Sequence, residues 1–113
     1  MTEPLFISAK TAATRLGVAR TRIRQLDSEN KLVSVQRGGE LCVPGDFIVE
    51  RGAESELVPL SGTITLLRDA GFSAEEIVSW LFAFDEVLQD TPMTVLREGR
   101  VKDVNRIAQT LGF

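Results

Sequence analysis

Thr11-Ala12-Ala13-Thr14-Arg15-Leu16-Gly17-Val18-Ala19-Arg20-Thr21-Arg22-Ile23-Arg24-Gln25-Leu26 is the stretch on which the fold turns. Ala12, Ala13 and Leu16 share one side at helical spacing, and Ser8 in front of them can accept the first unpaired amide of a helix. Gly17 closes that helix, because a left-handed residue there costs glycine little. Val18 then plugs a turn, and a second helix spans about Arg20 to Glu29 with Ile23 and Leu26 on its inner side. Two short helices about a glycine turn form a helix-turn-helix, whose second helix lies in the DNA major groove.

Downstream, the pattern changes from helical to alternating. Leu32, Val33 and Val35 give one strand, Gln36 to Glu40 a glycine turn, and Leu41 to Val43 the returning strand, so a wing spans 32–43. Upstream, Leu5-Phe6-Ile7 reads as a short extended segment tucked against this head, after a loose start. Pro44 stops the wing, and Asp46-Phe47-Ile48 begins a short helix or extended segment that packs Phe47 inward. Arg51 to Pro59 is polar and without periodicity, the one linker-like stretch.

The rest is helical. Ser61 is placed to cap a helix carrying Ile64, Leu67 and Ala70, which ends at Gly71. Ser73-Ala74-Glu75-Glu76 has capping-box spacing. It opens a helix whose stripe is Ile77, Trp80, Leu81, Phe84 and Leu88. Thr91-Pro92 starts another helix, ended by Gly99, and Val101, Val104, Ile107, Ala108 and Leu111 form the buried side of the last. The expected fold is mainly α with a small β-hairpin wing: a winged helix-turn-helix at 1–51 and a helical bundle at 52–113.

Composition narrows the chemistry. There is no histidine and one cysteine, Cys42, in an apolar run that suggests a buried, inert thiol. Ser-His and Cys-His nucleophile pairs and the usual zinc ligand sets are therefore out of reach, and no cofactor is expected. Adjacent acids such as Glu75 and Glu76, or Asp85 and Glu86, diverge by about 100° on a helix and make poor catalytic pairs, so no enzyme is expected. No apolar run approaches the roughly 20 residues of a membrane span, and residues 1–7 do not resemble a signal peptide. A cytoplasmic, nucleoid-associated protein with no membrane contact is the expectation.

Net charge is −3, yet it is unevenly placed. Residues 8–37 hold seven Lys/Arg against two Asp/Glu, and residues 52–113 hold five against ten. A basic head on an acidic body orients the molecule in the field of a polyanion. With Ile23 and Leu26 inward, the outer side of the second helix carries Thr21, Gln25 and Ser28, flanked by Arg20 and Arg24. Arg20, Thr21, Arg24 and Gln25 suit base edges, since Arg pairs with guanine and Gln with adenine. Lys10, Arg15 and Arg22 suit phosphates, with Thr11 beside them, and Arg37 at the wing tip suits a minor groove or the backbone. Double-stranded DNA is the expected partner.

Thr11-Ala12-Ala13, Leu16-Gly17-Val18, Ile23-Arg24 and Leu32 resemble the head of the mercury-resistance-regulator (MerR) and excisionase group of winged helix-turn-helix proteins. The whole length is similar to a small actinobacterial DNA-binding family that joins such a head to a helical C-terminal domain. That resemblance implies transcription regulation, and it implies a serine/threonine kinase as a partner and a phosphoprotein. Lys31-Leu32 and Leu41-Cys42-Val43 depart from the MerR pattern, and no long dimerisation helix or metal-sensing cysteine cluster follows, so effector sensing is not implied. Val78 and Phe82 lie off the main stripe of their helix and are candidates for a homodimer or protein-partner interface, with plain burial as the alternative. The order Trp80-Leu81, Leu88, Asp90-Thr91-Pro92, Leu96, Gly99 and Val104 to Leu111 also resembles toxin-binding domains of some antitoxins. The alternative function is thus an antitoxin-like regulator that grips a protein through its C-terminal helices.

Overall fold

In the computed structural model, which describes residues 4–111, the helix-turn-helix forms through local chemistry. Ser8 accepts the Thr11 amide at 3.0 Å and opens α1 (Ala9–Leu16), and Gly17 closes it at φ 71°. The amides of Gly17 and Val18 return to the carbonyls of Thr14 and Ala13, satisfying the helix end. Helix α2 (Thr21–Ser28) follows, with Ile23 and Leu26 buried. Its cap position is Arg20, which has helical φ and ψ and makes no side-chain cap bond. The expected looseness of the chain start falls partly on residues 1–3, outside the described residues.

The wing is a sheet of three strands rather than two. Strand β1 (Phe6–Ser8) pairs antiparallel with β3 (Glu40–Pro44), which also pairs with β2 (Val35–Arg37), in the order β1-β3-β2. The register Arg37↔Glu40 leaves Gly38 and Gly39 as a two-residue turn, both at positive φ, the geometry that glycine tolerates. The first wing strand starts at Val35 and not at Leu32. Leu32 and Val33 are both fully buried, which a strand with alternating faces cannot provide, and Asp27 draws the Ser34 amide toward α2 at 3.1 Å. Cys42 is buried on β3 as a free thiol.

A single 3-10 turn at Gly45–Phe47 buries Phe47 completely. What reads as a linker is then a second hairpin, β4 (Ile48–Arg51) with β5 (Glu54–Leu57), in register from Ile48↔Leu57 to Arg51↔Glu54. Its Ile48–Leu57 end packs on the core while its Arg51–Glu54 end is exposed, so no regular apolar alternation marks it, and Arg51 pairs with Glu56 near the exposed end. The expected division between residues 51 and 52 falls at the turn of this hairpin.

The helical half comprises α3 (Ser61–Asp69), α4 (Ala74–Leu81), α5 (Pro92–Arg97) and α6 (Val101–Ala108), the last running into a 3-10 turn at Gln109–Leu111. Ser61 is the first residue of α3 rather than its cap, a position taken by Leu60. The capping box at Ser73 and Glu76 is formed, and Thr91 caps α5 ahead of Pro92. Helix α4 ends at Leu81, well short of Leu88. Asp85 takes the amides of Val87 and Leu88 at 2.9 and 3.0 Å, and Gln89 adopts φ 59°, so a side-chain-capped loop replaces the expected helix. Phe84 is consequently 64% exposed, whereas Leu88 turns back into the core.

One continuous apolar core joins the two halves, from Ala12, Ile23 and Phe47 through Ile64 and Leu67 to Ile77, Leu81, Met93 and Val104. Thr63, buried between α3 and α6, donates to Asn105 at 2.5 Å. Among the described residues no helix is long and apolar enough to cross a membrane.

Candidate nucleic-acid interface

Helix α2 is mounted from beneath by the helical half. Arg68 of α3 donates to the Asp27 carboxylate at 2.7 Å, to the Asp27 carbonyl at 3.0 Å and to the Asn30 side chain. The other Asp27 carboxylate oxygen accepts the Ser34 amide and hydroxyl. Asn30, at φ 61°, adds a bond from Nδ2 to the Thr65 hydroxyl at 3.0 Å. Farther along the chain, Arg97 of α5 donates to the carbonyls of Asp46 and Ile48 at 2.6 and 3.1 Å. The bonds through Asp27 and Asn30 fix the carboxyl-terminal end of α2, and its Thr21, Arg24 and Gln25 side faces solvent.

Arg20, Thr21, Arg24, Gln25 and Ser28 lie on that exposed side, and Arg22 is half-buried at its edge. The carboxyl-terminal end is internally occupied: Glu29 takes the Gln25 side-chain amide at 3.2 Å and lies 3.8 Å from Arg22 and 3.5 Å from Lys31. Ser28 donates to the Gln25 carbonyl. The amino-terminal end is different. Lys10, Arg20 and Arg24 frame a concavity of about 260 Å³ between the start of α1, α2 and the wing, with Gln36 and Glu40 on the wing side. Among the described residues none of those three cations makes an ion pair, and only one carboxylate, that of Glu40, shares the concavity with them.

Two expected contacts stand apart from this cluster. Arg15 faces Glu50 of β4 at 3.7 Å. Arg37 folds back from the wing tip: its guanidinium forks onto both Glu75 carboxylate oxygens, at 2.7 and 2.9 Å, and lies 4.6 Å from the centre of the Phe6 ring. That fork holds the Glu75 carboxyl below its ordinary value of 4.5. Thr11 is exposed, with its hydroxyl accepting from Ser8 at 3.0 Å.

Val78 is buried and Phe82 half-buried, both packed on the core, which favours burial, the alternative to an interface there. Among the described residues the exposed large apolar groups of the helical half are Phe84 and Val87. Gln36, Glu40 and Asp27 are absent from the sequence-based set. The Gly38-Gly39 pair held the signal for the first two, since a two-residue turn places Gln36 and Glu40 opposite each other's neighbours. Asp27 carried no signal, because its partner lies 41 positions away.

Residues 2–48 match the family model described as the wHTH domain of DNA-binding protein Rv2175c. Residues 58–112 match that of the Rv2175c C-terminal domain, of unknown function. DNA-binding protein Rv2175c of Mycobacterium tuberculosis (strain ATCC 25618 / H37Rv) is 30% identical, over 89% of this chain and 76% of its own length. The chain belongs to the Rv2175c family. The solved NMR structure of Rv2175c superposes with a TM-score of 0.84 at 27% identity, covering 100% of this chain and 84% of that one. The family's fold, a winged helix-turn-helix followed by a helical C-terminal region, is the one described above.

Proposed function

We propose that the chain binds double-stranded DNA through its head, with α2 in the major groove, and acts as a nucleoid-associated transcription regulator. The observation that carries this is the convergence of Lys10, Arg20 and Arg24, none ion-paired among the described residues, on one concavity beside the exposed polar side of α2. Phosphates give such a site affinity and register, and base edges give it sequence preference. The name of the M. tuberculosis relative, a DNA-binding protein, supports the same conclusion. A phosphate on Thr21, added by a kinase of the class the family resemblance implies, would place about −1.5 to −2 charges on the DNA-facing side and oppose binding.

The test is an anisotropy titration against random and genomic duplexes at two salt concentrations. Arg20→Ala or Arg24→Ala is expected to weaken binding and cost about 1–3 kcal/mol of base discrimination at one position. Lys10→Ala is expected to weaken all sequences alike and to reduce the salt slope by about one. Unchanged affinity in all three variants would contradict the assignment of α2.

Phe84 and Val87 favour a second role, an antitoxin-like one in which the helical half grips a protein. Both are exposed, on a loop whose Val87 and Leu88 amides donate to the Asp85 carboxylate. Light scattering after size exclusion, with wild type and Phe84→Ser, tests self-association, and co-purification of a 1:1 complex lost in Phe84→Ser tests a separate partner.

A further inference from the structure

The geometry points to an intramolecular brake on the wing: the Glu75 carboxylate of α4 occupies, at Arg37, the place a DNA backbone phosphate would take. This rests on the DNA-binding function proposed above. Arg37 is the cation nearest the wing tip, and its planar fork matches a carboxylate and a phosphate equally well. In the structure both Glu75 oxygens fill that fork at 2.7 and 2.9 Å, and Phe6 lies under the guanidinium at 4.6 Å. The three groups come from three elements: Arg37 from β2, Phe6 from β1 and Glu75 from α4. The acidic half therefore reaches across to the basic head at the point where the wing would meet DNA. The bond is half-exposed, with 43% of the Arg37 side chain and 57% of the Glu75 side chain accessible. An exposed pair of this kind is weak enough to be exchanged for a phosphate.

Engagement of DNA by Arg37 then requires release of Glu75, and the energy of that exchange is subtracted from binding. Glu75→Gln removes the competing charge and keeps the side-chain length. It leaves the α4 cap intact, since the cap runs through Ser73 and Glu76. Duplex titrations of wild type, Glu75→Gln, Arg37→Gln and the double variant at several salt concentrations test the brake. Glu86→Gln, an equal charge change on an exposed loop, is the control.

The expected result is an affinity about two- to fivefold higher for Glu75→Gln at low salt, with a salt slope steeper by about one. The gain should vanish in the Arg37→Gln background. Equal gains in Glu75→Gln and Glu86→Gln, or a gain that persists without Arg37, would overturn the brake and leave DNA binding standing. No retention of any duplex by wild type or variants at low salt would overturn the proposed function, and the brake with it.

Discussion

Arg68→Leu separates the structural role of one ion pair from the weak influence of the others. Arg68 makes three hydrogen bonds to the end of α2, one of them to the Asp27 carboxylate at 2.7 Å. Its side chain is 30% exposed and that of Asp27 24%, so water replaces the lost contacts only in part. Ser34 still donates twice to Asp27, which limits the loss. A hydrogen bond to a charged group contributes about 1.5–3 kcal/mol, and about 2 kcal/mol is the expected cost here. For a chain of 113 residues the unfolding entropy is about 0.24 kcal/mol per kelvin, so Tm should fall by about 8 °C. Arg106, 77% exposed and 3.8 Å from Asp103, is the comparison: Arg106→Leu should lower Tm by less than about 2 °C. Thermal unfolding followed by circular dichroism reads both. Equal shifts in the two variants would show that burial and bond number do not decide the cost.

Three further outcomes are expected. Glu75 should titrate with a midpoint below 4.5, and Arg37→Gln should raise it; because the folded value is depressed, this bond stabilises the protein above that range and is lost as pH falls through the lowered value, which carboxyl NMR shifts can follow. Gly17→Ala should cost about 1 kcal/mol in denaturant unfolding, through its φ of 71° alone, since a methyl there would touch nothing within 4 Å. Ser73→Ala should cost about 1 kcal/mol by removing the cap of α4 and leaving the Glu76 amide unpaired, and the same measurement reads it.

Elements governed by neighbours in sequence were readable from it. Ser8 with Gly17, Ser73 with Glu76, Thr91 with Pro92 and the Gly38-Gly39 turn each announce a boundary within four or so residues. Elements that exist through distant partners were not. The extended course of Phe6 and Ile7 was readable but not their pairing with β3, and the β4–β5 hairpin carries too little apolar alternation to be seen. The apolar spacing through Phe84 continued past the true end of α4, where Asp85 offers the backbone another set of bonds. The site divides in the same way. The exposed side of α2 follows from the positions of Ile23 and Leu26, but the turn of Arg37 toward Glu75 and the anchoring of Asp27 by Arg68 depend on packing of the two halves.

Amide chemical-shift mapping of the labelled protein against a duplex locates the DNA contact residue by residue. Shifts concentrated in residues 8–41, strongest around Lys10, Arg20 and Arg24 and relaxing with added salt, are the expected result. Shifts confined to residues 61–111, or none at saturating duplex and low salt, would contradict it.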